Sequence, residues 1–339
     1  MAQGVSVVAA VITPANKAAP SHQPLDAETC VLLSQRRPGK HLAGCWEFPG
    51  GRVEPDEDQE TALKRELAEE LGITVHAAER WCSLTHRYPE KTVSLSIYRV
   101  TDWSGVASGL EGQAIEWVPW SQVSERSMPP ADQALLRLFG LAPFYLMDSL
   151  EANDQSQARI LANWQERLAS IGQTPLAGAP WLVQWSGCPG ETSDEAAHLG
   201  RKAVEHAQQA GHICLVDGTP EWAKRLGADG VTVSRSQGMA LTQRPKGLAW
   251  AAMVCDDSDS LKHATSLGLD FALLSPLRIS QSQPTNRPLG GEAFGALLEQ
   301  AGLPVIALGG LDFDDLAWVR SLGGFGVASR SSLISGMSA

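Results

Sequence analysis

The sequence predicts a two-domain α/β protein: a mixed α/β domain over residues 1–141, then a closed (β/α)8 barrel over residues 142–339. Three observations predict it. At 339 residues the chain is longer than one hydrophobic core usually organises. Before Leu141, strand-like runs at 5–12, 30–34, 93–100 and 115–118 surround one clear helix at 58–71. After it, apolar runs at 144–147, 181–184, 213–216, 230–233, 249–254, 271–274, 304–307 and 326–328 alternate with amphipathic helical stretches. Apolar strands separated by helices imply βα units and a parallel sheet, and eight of them fit a closed barrel.

The individual elements follow from local pattern. Residues 93–100 alternate with period two, the mark of a half-buried strand. Residues 5–12 are apolar but short, with no preceding basic stretch, and read as a first strand rather than a signal peptide. Residues 153–180 are rich in Ala, Leu and Gln and read as the first barrel helix rather than a linker. An open doubly wound sheet is the alternative to the barrel, but no GxGxxG opens any of these helices.

Composition narrows the function classes. The net charge of −11 and pI near 5.2 argue against a nucleic-acid surface, which needs a basic patch to neutralise phosphates. They leave nucleotide binding open, because a bound divalent cation supplies positive charge locally. No run approaches the ~20 apolar residues of a membrane span. Cys30, Cys45, Cys82, Cys188, Cys214 and Cys255 form no CxxC pair and no regular spacing, so a reducing, cytoplasmic setting is expected rather than a disulfide framework.

The decisive stretch is residues 51–73, GRVEPDEDQETALKRELAEELGI. Glu66, Glu69 and Glu70 stand at i, i+3 and i+4, so a helix puts their carboxylates on one face. Like charges stacked in this way destabilise a bare helix by a few tenths of a kcal/mol per pair, unless a cation sits among them. Hard oxygen ligands suit Mg2+, or Mn2+, which also bridge substrate phosphates. Arg65 is placed to hold Glu57 and fix the loop before the helix; Leu63 and Leu67 face a core, and Gly72 ends the helix in a left-handed conformation.

This stretch fits G-x5-E-x7-R-E-U-x-E-E-x-G-U, with U aliphatic, at Gly51, Glu57, Arg65, Glu66, Leu67, Glu69, Glu70, Gly72 and Ile73, and so resembles the Nudix hydrolases. The flanks, WEFPGGRVE (46–54) and HRYPEKTVSLSIYRV (86–100), resemble the MutT branch, which removes oxidised guanine nucleotides from the pool. The resemblance runs from Val5 to about Leu141 and implies an α/β/α sandwich with a Mg2+-dependent pyrophosphohydrolase site. It implies metal ligation by Glu66, Glu69 and Glu70, helped by the Gly50 and Gly51 carbonyls and by Glu111 of GLEGQ. It also implies substrate contacts from Arg36, His41, Phe48 and Asp132. Glu66, Glu69 or Glu111 would orient or deprotonate the attacking water. MutT-like enzymes carry Asn where this chain has Asp132. An amide donates and accepts, whereas an ionised carboxylate only accepts, so Asp132 has to be protonated or to meet N–H donors. Its competing use is as the N-cap of a helix beginning at Gln133.

From about Pro143 to Leu333, FYLMDSL, WLVQW, GADGVTVSRS, LGLDFALLSP, PLGGEAF and PVIALGGL resemble the thiamine phosphate synthase/TenI family in order and spacing. The resemblance implies phosphate held by Gly309, Gly310 and Ser329 after the last two strands, with Gln184 and Asp217 at the ends of earlier ones. Two cations of that family are missing: Cys188 stands in the place of a lysine after strand two, and Gln283 in that of a lysine or histidine after strand six. A departing pyrophosphate needs such charges, so the barrel is expected to be degenerate, binding a phosphorylated ligand or serving structure. The expected function is conversion of (8-oxo-)dGTP or a related purine nucleoside triphosphate to the monophosphate and pyrophosphate. Hydrolysis of thiamine-pathway pyrophosphates, or residual synthase activity in the barrel, is the alternative.

Overall fold

The computed structural model describes residues 4–14, 23–148, 156–174, 176, 178–187, 193–279 and 287–330. Its backbone contacts divide the chain into two compact units, Met1–Gly140 and Leu141–Ala339.

The first unit runs β1 (Gly4–Ile12), β2 (Cys30–Gln35), β3 (Trp46–Glu47), β4 (Gly50–Arg52), α1 (Gln59–Leu71), β5 (Thr74–Arg87), β6 (Thr92–Ser104), β7 (Ile115–Pro119), α2 (Trp120–Val123) and α3 (Pro130–Phe139). One sheet has the order β4-β1-β6-β5 and a smaller one β3-β2-β7. The β1/β6 pair is parallel and its neighbours β1/β4 and β5/β6 antiparallel, so the larger sheet is mixed.

Successive strand residues point to opposite faces, and β6 shows what each face meets. Tyr98 donates to Gln59 of α1 at 3.1 Å. Next to it, Arg99 lies over the ring of Trp81, which stacks on Phe139 of α3 at 4.0 Å. Helices therefore cover both faces, which is the α/β/α sandwich. Leu63, Leu67 and Leu71 of α1 are fully buried in a core with Val8, Ala10 and Ile12 of β1. Burying a Leu side chain is worth ~1.5–3 kcal/mol, so this stripe fixes which face of α1 stays free for chemistry.

The second unit contains eight parallel strands: β8 (Phe144–Met147), β9 (Leu182–Trp185), β10 (Ile213–Asp217), β11 (Gly230–Val233), β12 (Trp250–Cys255), β13 (Phe271–Leu274), β14 (Val305–Leu308) and β15 (Gly326–Ser329). The β15/β8 pairing closes them into a barrel. The helices between them are α4 (Gln157–Ile171), α5 (Asp194–Gln209), α6 (Pro220–Leu226), α7 (Arg235–Met239), α8 (Ser258–Ser266), α9 (Gly290–Leu298) and α10 (Leu316–Ser321). The helix expected within residues 153–180 is α4. Among the described residues, no helix is long and apolar enough to cross a membrane.

Candidate active site

The site is built around α1. Asp58 caps its start, accepting from the backbone N–H groups of Glu60 and Thr61 at 3.0 Å each. Gly72 closes it in the left-handed conformation, at φ 70°. Arg65 grips Glu57 with two parallel bonds of 2.9 Å and donates to the Arg52 carbonyl at 3.0 Å, so it ties helix, preceding loop and β4 together.

Two glycines of β4 let the strand approach its neighbours. Gly50 has φ 150°, and a Cβ there would lie 2.2 Å from the Val8 carbonyl oxygen. A Cβ on Gly51 would fall 2.2 Å from the Glu66 carboxyl, so only glycine leaves that side chain its place against the strand.

These elements line a cleft of about 640 Å³. It gathers Gly50, Gly51, Glu66, Glu70 and Glu111 with Arg36, His41, Phe48 and Asp132, all expected from sequence. Glu69, Glu57 and Arg65 do not line it. Glu69, expected beside Glu66 and Glu70, is 59% exposed and pairs with Arg65 at 3.2 Å, which also holds Glu66 at 3.0 Å. The i, i+4 spacing to Arg65 draws Glu69 to the rim.

Carboxylates crowd around Glu70. The Glu70 carboxyl is pushed up to about 7, first by burial and then by the carboxylates of Glu66, Glu47 and Glu111, against one backbone hydrogen bond from Gly50. Among the described residues, no three His, Cys, Asp or Glu side chains converge as ready metal ligands. Crowded carboxylates with hard oxygen donors, one raised toward neutrality by burial and by the others, nevertheless suit a divalent cation such as Mg2+. The donor set fits the ion, with Glu69 leaving Arg65 if it is to join.

Sequence reasoning missed Glu47, Tyr88, Arg37 and Lys91, which also line the cleft. Glu47 pairs with Arg36, yet burial still raises its carboxyl above the ordinary range. Its position between Trp46 and Phe48, just before the glycine pair, was the available signal. Tyr88 stands between His41 and His86, with ring centroids at 5.0 and 4.5 Å, and Lys91 lies 5.9 Å from the centre of its ring.

Asp132 lies inside α3, not at its cap. Pro129 takes the N-cap position and Pro130 the first helical one, because the fixed φ of proline starts the helix early. Asp132 is 6% exposed. Its carboxyl is pushed up to about 8, first by burial and then by Glu47, with Arg36 opposing. Near neutral pH it is therefore a neutral acid, which donates and accepts as an amide does.

The barrel residues behave differently. Gln184 is 1% exposed. Its carbonyl accepts from Tyr145 at 2.9 Å and its amide donates to Ser186 at 3.2 Å. Tyr145 also meets Thr232 at 2.6 Å. The Ser329 hydroxyl donates to the Leu311 carbonyl at 3.1 Å. A Cβ on Gly309 would lie 2.9 Å from Pro276, and one on Gly310 2.4 Å from the Ile279 carbonyl oxygen, so packing by itself accounts for both glycines. Asp217 ends β10 half-buried; burial raises its carboxyl and Arg330 lowers it. Asp148, at the end of β8, accepts from the backbone of Ser186 and Gly187 at 2.8 and 3.3 Å. Cys188 and Gln283 lie outside the described residues.

Comparison with known proteins gives two family matches: NUDIX domain over residues 25–138, and Thiamine monophosphate synthase over residues 165–333. The 8-oxo-dGTP diphosphatase of Haemophilus influenzae is 41% identical over 106 residues, 31% of this chain and 78% of that protein. The CTP pyrophosphohydrolase of Escherichia coli is 39% identical over 109 residues, 32% of this chain and 81% of that protein. A solved thiamine phosphate pyrophosphorylase from Pyrococcus furiosus is 17% identical, covering 55% of this chain and 84% of its own, with a TM-score of 0.41.

Proposed function

Since the chain belongs to the Nudix hydrolase family through its first unit, we propose that this unit hydrolyses a purine nucleoside triphosphate, 8-oxo-dGTP foremost, to the monophosphate and pyrophosphate. The observation that carries the reading is the cleft itself, where Glu66 and Glu70 of α1 open into one space with Arg36, His41, Phe48 and Asp132. Glu66, Glu70 and Glu111, with the Gly50 and Gly51 carbonyls, would hold Mg2+, and Glu69 would join on leaving Arg65. When bound, Mg2+ polarises the phosphoryl oxygens and lowers the pKa of water. Arg65 positions Glu66 and, through Glu57, the loop before α1. Phe48, His41 and Tyr88 wall the base, and Asp132 presents a neutral carboxyl to its edge. Glu66, Glu69 or Glu111 orients the attacking water.

The family match over residues 165–333 favours a second reading, in which thiamine-pathway pyrophosphates are the substrates or the barrel retains synthase activity. Against it, Gln184 and Ser329 already spend their polar groups inside the barrel. We read the barrel as non-catalytic, with any phosphorylated ligand held at Gly309, Gly310 and Asp217. A kcat/KM panel over 8-oxo-dGTP, dGTP, CTP and thiamine pyrophosphate with Mg2+, with products identified, tests the proposal. A preference for thiamine pyrophosphate over every nucleotide would overturn it.

A further inference from the structure

Adjacent arginines at the end of β2 reach to different sides of the cleft. Arg36 turns to Glu47 and to the His41 carbonyl, which it meets at 2.6 Å. Arg37 crosses to a loop 74 residues away in sequence, donating to the Glu111 carbonyl at 2.9 Å. It also pairs with the Glu111 carboxylate at 2.5 Å.

The two ends of this bridge sit on separately closed loops. The Glu111 loop is fastened to the end of α1: Leu110 N–H and the Gln113 amide both donate to the Glu70 carbonyl at 2.9 Å. The Arg37 loop turns through three residues of positive φ, Gly39 at 85°, Leu42 at 57° and Gly44 at 85°. Leu42 pays a steric cost for that conformation, whereas the glycines do not. The bridge thus joins two exposed side chains, an acid on a loop tied to α1 and a cation on a loop closed between Arg36 and Cys45, and both line the cleft.

We propose that Arg37 is a partner-switching residue of this site. Without substrate it holds and neutralises Glu111; when a triphosphate enters with its cation, Glu111 turns to the cation and Arg37 passes to the phosphate oxygens. The exchange conserves charge pairing on both sides. Both side chains are about a third or more exposed, 34% and 41%, so the bridge is weak enough to exchange. Guanidinium also suits phosphate, which it can bind through two parallel bonds. The inference rests on the metal-site reading above.

The test uses full-length, metal-free protein and follows free Mn2+ by electron paramagnetic resonance. Arg37→Ala should tighten Mn2+ binding about 2- to 5-fold, the range of an exposed ion pair. In a Glu111→Gln background the same change should have no effect, because the competing pair is already gone. With Mg2+ present, Arg37→Ala should weaken a non-hydrolysable α,β-imido-dGTP about tenfold, the scale of a charged hydrogen bond, and Arg37→Lys should restore part of it. Unchanged Mn2+ affinity in Arg37→Ala, or equal tightening in both backgrounds, overturns the proposal. Glu70→Gln is the control: if it leaves Mn2+ affinity unaltered, the metal-site reading itself has failed.

Discussion

Asp132 in the first unit and Gln184 in the barrel are both buried polar side chains, and they are used in opposite ways. Asp132 is 6% exposed and lines the cleft, its carboxyl pushed up to about 8 first by burial and then by Glu47. Gln184 has both ends of its amide engaged by Tyr145 and Ser186. A buried carboxyl that lines a cleft is placed to meet a ligand there. A met group stabilises the fold and offers a ligand little. The cleft also leaves Glu70 crowded by three other carboxylates, while in the barrel Asp148 takes two backbone N–H groups. Carboxylates crowded into one cleft mark the first unit as the place of chemistry; unbonded buried atoms do not, since Trp181 Nε1 and His212 Nδ1 of the second unit also lack partners.

The largest effect expected of this contrast is at Glu70. Glu70→Gln should cost several orders of magnitude in kcat with the fold retained, since it removes a charged group from the cation site and relieves crowding. Near-native turnover with Mg2+ would break the assignment. Glu69→Gln also removes a charge, but from the cleft rim, and should cost less than Glu70→Gln; a larger loss at Glu69 would mean that Glu69 leaves Arg65 in the working enzyme.

Asp132 gives the next effect, on specificity and on pH dependence. Folded Asp132 keeps its proton up to about 8, whereas in the unfolded chain it loses it in the ordinary carboxylate range. Between those values only the folded state holds the proton. Its contribution to stability therefore falls as pH rises toward 8, by up to about 1.4 kcal/mol per pH unit, and levels off above. Asp132→Asn should remove that slope, so the melting temperatures of the two proteins should diverge from pH 5 to pH 8 in favour of Asn. The kcat/KM ratio of 8-oxo-dGTP to dGTP should shift above pH 8 in the native protein and stay level in the variant. Parallel melting curves and unaltered ratios would show that the carboxyl is neither buried nor a reader of the base.

Gln184→Ala should give the smallest functional effect. It leaves the Tyr145 hydroxyl one partner short, costing ~1–3 kcal/mol of barrel stability by chemical denaturation, with nucleotide hydrolysis unchanged. A loss of hydrolysis without loss of stability would contradict the division of labour.

What was legible in the sequence was local. The spacing from Gly51 to Ile73 lies largely on one helix, so three carboxylates, their arginine and the closing glycine could be placed from period alone. Glu47 and Tyr88 come from β3 and from the β5–β6 turn, and only the folded sheet brings them to α1. Strand β5 itself was unread because register shifts between Val75 and Ala77, Ala77 and Ala78, and Arg80 and Cys82 break its alternation. In the barrel the strand runs were visible as apolar stretches, but a fully buried strand has no period, so several ends fall one residue away: β9 begins at Leu182 rather than 181. That Gln184 was spent on Tyr145 was invisible, because the partner lies on another strand.

The measurement that tests this division most directly gives the full-length protein, with Mg2+, 8-oxo-dGTP in one reaction and both thiamine phosphate precursors in another. The account predicts nucleoside monophosphate and pyrophosphate in the first, lost in Glu70→Gln, and no thiamine phosphate in the second. Thiamine phosphate above a no-enzyme control, abolished by Asp217→Ala, would contradict it and make the barrel an enzyme.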